Sequence, residues 1–364
     1  MSHELAKMPA IYGGTMVVIS AARAESCTQG FLHRRDISSL LKMIYNLPHY
    51  PTGEASPEGC FIVSERLLSD KCEIQPIDIR AWTFQEHIQA TCLLRFSPQQ
   101  VRWKCLQPNS EWVDGGYPGN IAQASSDPEI FDGTYNSRSA LIEHVGVKRV
   151  FFNFSHSWRD IIRDYTTRSL SRLTDSLPAL GVIAHNYDRR TKYHMGCYCA
   201  GLWEKDLALG LLWFKPKTLN VVARQKPSWS WASLPGPVEY SIPFIVNSNL
   251  KVIDCVIERH NQNWAYGEVV SGTLTLQGRL WQLSRTHPTE MQRDVEVYWD
   301  ITTQWDKENL TFLEVIPAND TEPKSKGLVL HCLSSNTYER VGYYQYSGRR
   351  VDEAYSNEEI ITII

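Results

Sequence analysis

The chain has 364 residues, 43% of them hydrophobic and 21% charged, so it holds enough apolar material for about two folded domains. That composition excludes a disordered tail and a disulfide-stapled miniprotein. Its 37 basic and 40 acidic side chains leave a net charge of −3, too little positive field for nucleic acid or for an anionic membrane surface.

Residues 1–10 read as a short helix, with Leu5, Met8 and Ile11 at i, i+3, i+6 and a stop at Gly13 and Gly14. Residues 15–20 (TMVVIS) are β-branched and apolar on both faces, the pattern of a strand buried in a sheet. Asp36 or Ser38 can cap a helix running to Leu47, and residues 60–66 read as a strand. Residues 78–90 look helical behind Asp78, and strands at 92–96 and 100–105 can close a hairpin over Ser97, Pro98 and Gln99. The Gly-, Pro- and Ser-rich stretch 107–145 reads as a long loop between two halves.

Trp158, Ile161, Ile162 and Tyr165 fall at i, i+3, i+4, i+7 behind Ser157, the pattern of a capped amphipathic helix. Further helices are expected at about 174–187 and 201–214. Beyond Pro227 the texture becomes β-rich, with runs near 249–258, 271–279, 294–303, 310–315, 328–333 and 339–346. No stretch approaches the ~18 apolar residues that span a bilayer, and residues 1–10 do not read as a signal peptide. Nine scattered cysteines fit the reduced thiols of a cytosolic protein, and the three N-x-S/T triplets at Asn153, Asn309 and Asn319 then have no significance.

The segment Arg80-Ala-Trp82-Thr83-Phe-Gln85-Glu86 resembles the R-x-W-T-x-Q-E block of the fungal heterokaryon-incompatibility (HET) domain at all specified positions. Upstream, Lys7-Met8-Pro-Ala-Ile11-Tyr12, Ser20-Ala-Ala and Gly30-Phe31-Leu32 are similar to the segment preceding that block. Downstream, Tyr165-Thr166, Arg168, Leu170-Ser171, Asp175, Leu177 and Ala179-Leu-Gly181 resemble the region that follows the domain in these proteins. So do Ala200-Gly-Leu-Trp203, Leu212-Trp213 and Pro227-Ser-Trp-Ser-Trp-Ala232. The family's first two blocks, which should precede Lys7, do not occur in this sequence. The resemblance thus implies an N-terminally truncated domain whose 15–20 strand lacks neighbours and exposes an edge.

The expected fold is α+β: a partial HET-like, TIR-related α/β layer over 1–106, a loop or linker at 107–149, a helical region at 150–235 and a β-rich segment at 236–364 packed on it. The resemblance implies a cytoplasmic protein of non-self recognition and programmed cell death that binds a protein partner or itself. A HET-like enzyme, cleaving NAD or serving specialised metabolism, is the alternative, and a truncated inactive product the second.

Glu86 is the candidate catalytic residue. On a helix it shares a stripe with Trp82 and Gln85, while Ala81, Phe84 and Ile88 face the core. The bland reading, favoured by the lack of a paired base, is a hydrogen-bond hub in which Gln85 and Glu86 satisfy Arg80 or loop amides. An enzyme using Glu86 needs a pocket and a second converging group such as Arg80, His87 or Arg168. His194, Cys197 and Cys199 lack the second ligand pair of a zinc site, so no metal and no cofactor is expected. Trp229 and Trp231, two apart on an expected strand, should pack together into the core, and Arg159, Arg163, Arg168 and Arg172 read as a solvated, salt-bridged face.

Overall fold

The computed structural model describes residues 7, 11, 14–34, 44–49, 59–64, 74–98, 101–105, 112–113, 152–220, 224–242, 248–282, 295–303, 305–306, 309–318, 323–347 and 355–364. The expected helix at 1–10 and nearly all of the expected loop at 107–145 lie outside them. The chain is α+β and separates into two compact units, one built on Ala10–Asn136 and one on Ser137–Ile364. The 150–235 and 236–364 regions thus share a unit.

In the first unit, β1 (Val18–Ser20), β4 (Cys92–Phe96), β5 (Val101–Cys105) and β6 (Trp112–Val113) form a sheet in that order. β1 and β4 run parallel, which requires a crossover, and α1 (Ala81–Gln89) lies in that connection. The β4–β5 hairpin forms as expected. β2 (Ile44–His49) and β3 (Gly59–Ser64) pair antiparallel. The expected helix to Leu47 is therefore corrected where it is described: Ile44 and Tyr45 favour a strand, and Pro48 is unfit for a helix interior.

Residues 15–20 also differ from expectation. Only three of them form strand, and β1 has a single ladder neighbour, β4, among the described strands. Ser20 is buried, whereas Met16, Val17 and Ile19 are exposed, so the run is not buried on both faces.

The second unit opens with α2 (Phe152–Thr166) and α3 (Pro178–Arg190). Trp158, Ile161, Ile162 and Tyr165 are all buried, as their period requires. The helix begins ahead of Ser157, which is therefore an interior residue and not its cap. The expected helix at 201–214 is replaced by the β7–β8 hairpin (Tyr198–Cys199, Leu202–Trp203), one helical turn α4 (Leu207–Gly210) and β9 (Trp213–Phe214), which pairs with β10 (Glu239–Tyr240). Ala200 and Gly201 both have positive φ, which turns the chain sharply and stops any helix there.

The remaining strands are β11 (Lys251–Arg259), β12 (Val269–Trp281), β13 (Val295–Trp299), β14 (Leu310–Ile316), β15 (Ser325–Ser334), β16 (Thr337–Tyr346) and β17 (Tyr355–Ile363). Six match the expected runs, and β17 has no counterpart among them. Their ladders close a circuit: β12 pairs with β14, β14 with β15, β15 with β16, β16 with β17, and β17 with β12. β14 is buried along its whole length, so both its faces are covered. One cluster gathers Trp281, Phe312, Val329, Val341 and Tyr344, with Trp281 stacked on Phe312 at 4.2 Å.

Candidate functional site

The Arg80–Glu86 motif sits at a kink. Residues Pro76–Ile79 form a 3-10 turn whose Asp78 side chain accepts from the Gln75 amide at 3.1 Å, a reciprocal capping box. Arg80 is extended and α1 starts after it. Asp78 thus caps the turn rather than the helix, and it also binds Arg95 of β4. The Thr83 hydroxyl points at the carbonyls of Ile77 (2.5 Å) and Arg80 (2.7 Å), sharing its one proton between them and fastening helix to turn.

At about 100° per residue, α1 buries a wide arc holding Ala81, Thr83, Phe84, Gln85 and His87. Gln85, 1% exposed, lies on this arc and not on the outer stripe expected for it. Its amide oxygen and nitrogen have no partner among the described residues. Ile88 is only half-buried. The outer stripe consists of Trp82, Glu86 and Gln89, all half-buried, and Arg80 is exposed. His87 points inward and meets the Ser20 hydroxyl at 3.0 Å, joining α1 to the end of β1. Glu86 on its stripe can accept a hydrogen bond or a proton beside the Trp82 indole.

The other singled-out residues meet in the second unit, inside its core. The indole N–H groups of Trp158 and Trp231 both donate to the Gly201 carbonyl, each at 3.0 Å, using both of its lone pairs. Ser230 donates to the Ala200 carbonyl at 2.6 Å and accepts from the Ala232 amide, so Trp231–Ser233 is a capped 3-10 turn and not the expected strand. Trp213 donates to the Trp229 carbonyl at 2.9 Å, Tyr165 packs edge-on to Trp231, and the Thr166 hydroxyl accepts from the Val238 amide. Trp229 and Trp231 are buried, as expected for core packing.

Beneath this knot lies an ionic cluster, with Asp300 and Arg340 fully buried, that sequence reasoning missed. The Arg340 guanidinium stacks on Trp213 at 3.3 Å, donates to the Leu211 carbonyl (2.6 Å) and to that of Trp213, and pairs with Asp300 (3.2 Å). Arg224 pairs with the same carboxylate at 2.6 Å. Burial pushes the Asp300 carboxyl up, but Arg340 and Arg224 outweigh it and hold it below the usual carboxylate value. Ser228 donates to the Ile364 carbonyl from both backbone and side chain, and its hydroxyl accepts from the Arg340 amide.

Lys215 is buried with its three ammonium protons directed at the carbonyls of Leu234 (3.3 Å), Pro235 (2.9 Å) and Gly236 (2.7 Å). Burial lowers its pKa to about 7, with Asp300 opposing and Arg340 and Arg224 reinforcing the shift. The unfolded chain keeps that proton to about pH 10.4, so between 7 and 10 the unfolded state binds more protons than the folded one. The Lys215 contribution to stability therefore rises with pH above 7, and urea titrations at pH 7 and pH 8 are expected to show a gain in the wild-type chain that K215M lacks.

The expected solvated arginine face is corrected at Arg159, which is buried and binds Asp206 at 2.7 Å because the turn before α4 folds over it, while Arg163, with Asp160 and Glu239, and the exposed Arg172 fit the surface description. A cleft of about 20 Å³, room for one water, is lined by Leu177, Gln225, Pro227, Ser230 and Ser233 and does not include Glu86. Among the described residues no three His, Cys, Asp or Glu side chains converge to hold a metal, and no helix is long and apolar enough to cross a membrane. The chain matches no protein-family profile, no curated protein and no solved structure.

Proposed function

We propose that the chain acts in fungal self/non-self recognition as a HET-type interaction and signalling module, whose Ala10–Asn136 unit carries the surface that meets a protein partner. The observation that carries this reading is the rim of β1. Met16 is 85% and Ile19 62% exposed, and β1 has one ladder neighbour among the described strands. A strand edge flanked by uncovered apolar side chains is a template for pairing with a second chain. The half-exposed Trp82 adds an aromatic side chain of the kind enriched at interface centres, with Glu86 one turn along the same stripe. The blocks around Tyr165, Gly201, Trp213 and Trp229–Trp231 support the reading in another way, by packing against one another as parts of one core.

The test drives the full chain from an inducible promoter in a filamentous fungus and scores entry of a vital dye into hyphal compartments. Induction is expected to raise the dye-positive fraction severalfold, and I19K and W82A to return it to the uninduced level at equal protein abundance. Absence of death with the wild-type chain, or equal death with both variants, would overturn the proposal.

A further inference from the structure

The β4–β5 hairpin of the first unit brings two cysteines together. Cys92 opens β4, Cys105 closes β5, and the two are register partners across the antiparallel ladder. Every other cysteine in a described ladder faces a different residue type: Cys60 faces Pro48, Cys199 faces Leu202, Cys255 faces Leu274 and Cys332 faces Tyr338. Residues opposed in this way stand about 4.5 or 5.5 Å apart at Cα, and both separations are within the reach of a disulfide. Their side chains also leave the sheet on the same face. Along β4 the alternate residues Leu93 and Arg95 are buried, and Arg95 binds Asp78 of the turn before α1. Cys92 and Cys105 therefore lie on the other face, with Leu94 and Trp103 as the next opposed pair along it. Both cysteines are half-buried, so a small reagent can approach them.

We propose that Cys92 and Cys105 form a reversible dithiol–disulfide site, which a small-molecule disulfide such as oxidised glutathione closes at the open end of the hairpin. The step balances as an exchange. The thiolate of one cysteine attacks a sulfur of the oxidant and expels one glutathione thiolate. The thiolate of the other then attacks the protein-side sulfur of the mixed disulfide, forming the S–S bond and releasing the second glutathione. Two thiol protons and two electrons leave the protein, and one disulfide is reduced.

The ladder sets the strength of the bond. Opposed Cβ atoms stand about 4.5–5.5 Å apart, whereas a relaxed disulfide holds them at about 3.8 Å, so closure draws the strand ends together by about 1 Å. A bond made against that resistance is more oxidising than a structural disulfide and reopens in a pool of reduced thiol. Closure also reaches beyond the hairpin. Leu93, next to Cys92, pairs with Val18 of β1, so the bond fixes β4 where it carries its parallel neighbour. The site stands on the β4–β5 register and needs no partner at the rim of β1.

The test uses the intact chain. It is incubated with oxidised glutathione, quenched with acid, alkylated under denaturing conditions, digested without reductant and mapped by mass spectrometry. The expected result is a cross-linked peptide pair joining Cys92 to Cys105, recovery of both thiols after a chase with excess reduced glutathione, and slower amide exchange along β4 and β5 in the oxidised protein. The ratio of this cross-link to glutathione adducts at the same residues is expected to be about tenfold higher in the native chain than in the chain unfolded in urea, because the ladder orients the second thiol. C92S is expected to stop at a glutathione adduct on Cys105, and mapping of the wild-type chain decides the matter even where that variant folds poorly. Adducts left standing on both cysteines, full alkylation of both, the same ratio in urea, or a cross-link that excess reduced glutathione does not reopen would overturn the proposal.

Discussion

Replacing Arg340 by Met is expected to lower the unfolding free energy by about 3–5 kcal/mol, because it strands the buried Asp300 carboxylate with one of its two cationic partners gone. The same change leaves the Leu211 and Trp213 carbonyls without their donor and exposes the Trp213 ring face to a non-polar neighbour in place of a cation. R340K keeps the charge but cannot span these acceptors with a planar fork, so it is expected to recover only a minor part. Guanidinium titration followed by far-UV circular dichroism measures both variants. A loss below about 1 kcal/mol for R340M would mean that the cluster is dispensable, as surface pairs are.

Gly201→Ala is expected to cost about 2–4 kcal/mol, combining backbone strain with overpacking. Gly201 has φ +98°, and a Cβ there would stand 2.5 Å from the Trp231 indole nitrogen and 3.1 Å from Leu177. The carbonyl that serves both indoles would have to move with it. Gly236 is the control: its φ is +82°, but the nearest atom to an added Cβ is 3.9 Å away, so G236A carries the strain alone, about 1 kcal/mol. Equal losses for the two variants would show that the packing of Trp231 against Gly201 contributes nothing.

Local pattern decided which elements could be read in advance. Trp158, Ile161, Ile162 and Tyr165 repeat with the helical period, and each strand from β11 to β16 is a β-rich run bounded by turn residues, so both classes were legible. Residues 201–214 deceived, because Leu202, Leu209 and Leu212 fit a helical count while the positive φ at Ala200 and Gly201 leaves no periodic trace. The Arg340 cluster was invisible for a different reason. Its acceptors at Leu211 and Trp213 lie far away in sequence, and an arginine inside a strand pattern reads as solvated until the fold brings a carboxylate and an indole to it. At the motif, the order Arg80 to Glu86 was legible as a block on a helix. The inward turn of Gln85 was not, since α1 is covered over more than half its circumference and a simple two-face division fails.

On the ribosome, β12 leaves the exit tunnel long before the strand that must lie beside it, for Leu274 pairs with Ile363. Until β17 follows, the nascent sheet stays open and one side of β12 is bare over most of its length. The hairpins β14–β15 and β15–β16 can assemble at once, but the ring cannot shut while its last segment is still being translated. Such late, non-local closure makes folding of this unit slow and leaves a translational interval in which holdase chaperones compete with aggregation for the unfinished edge.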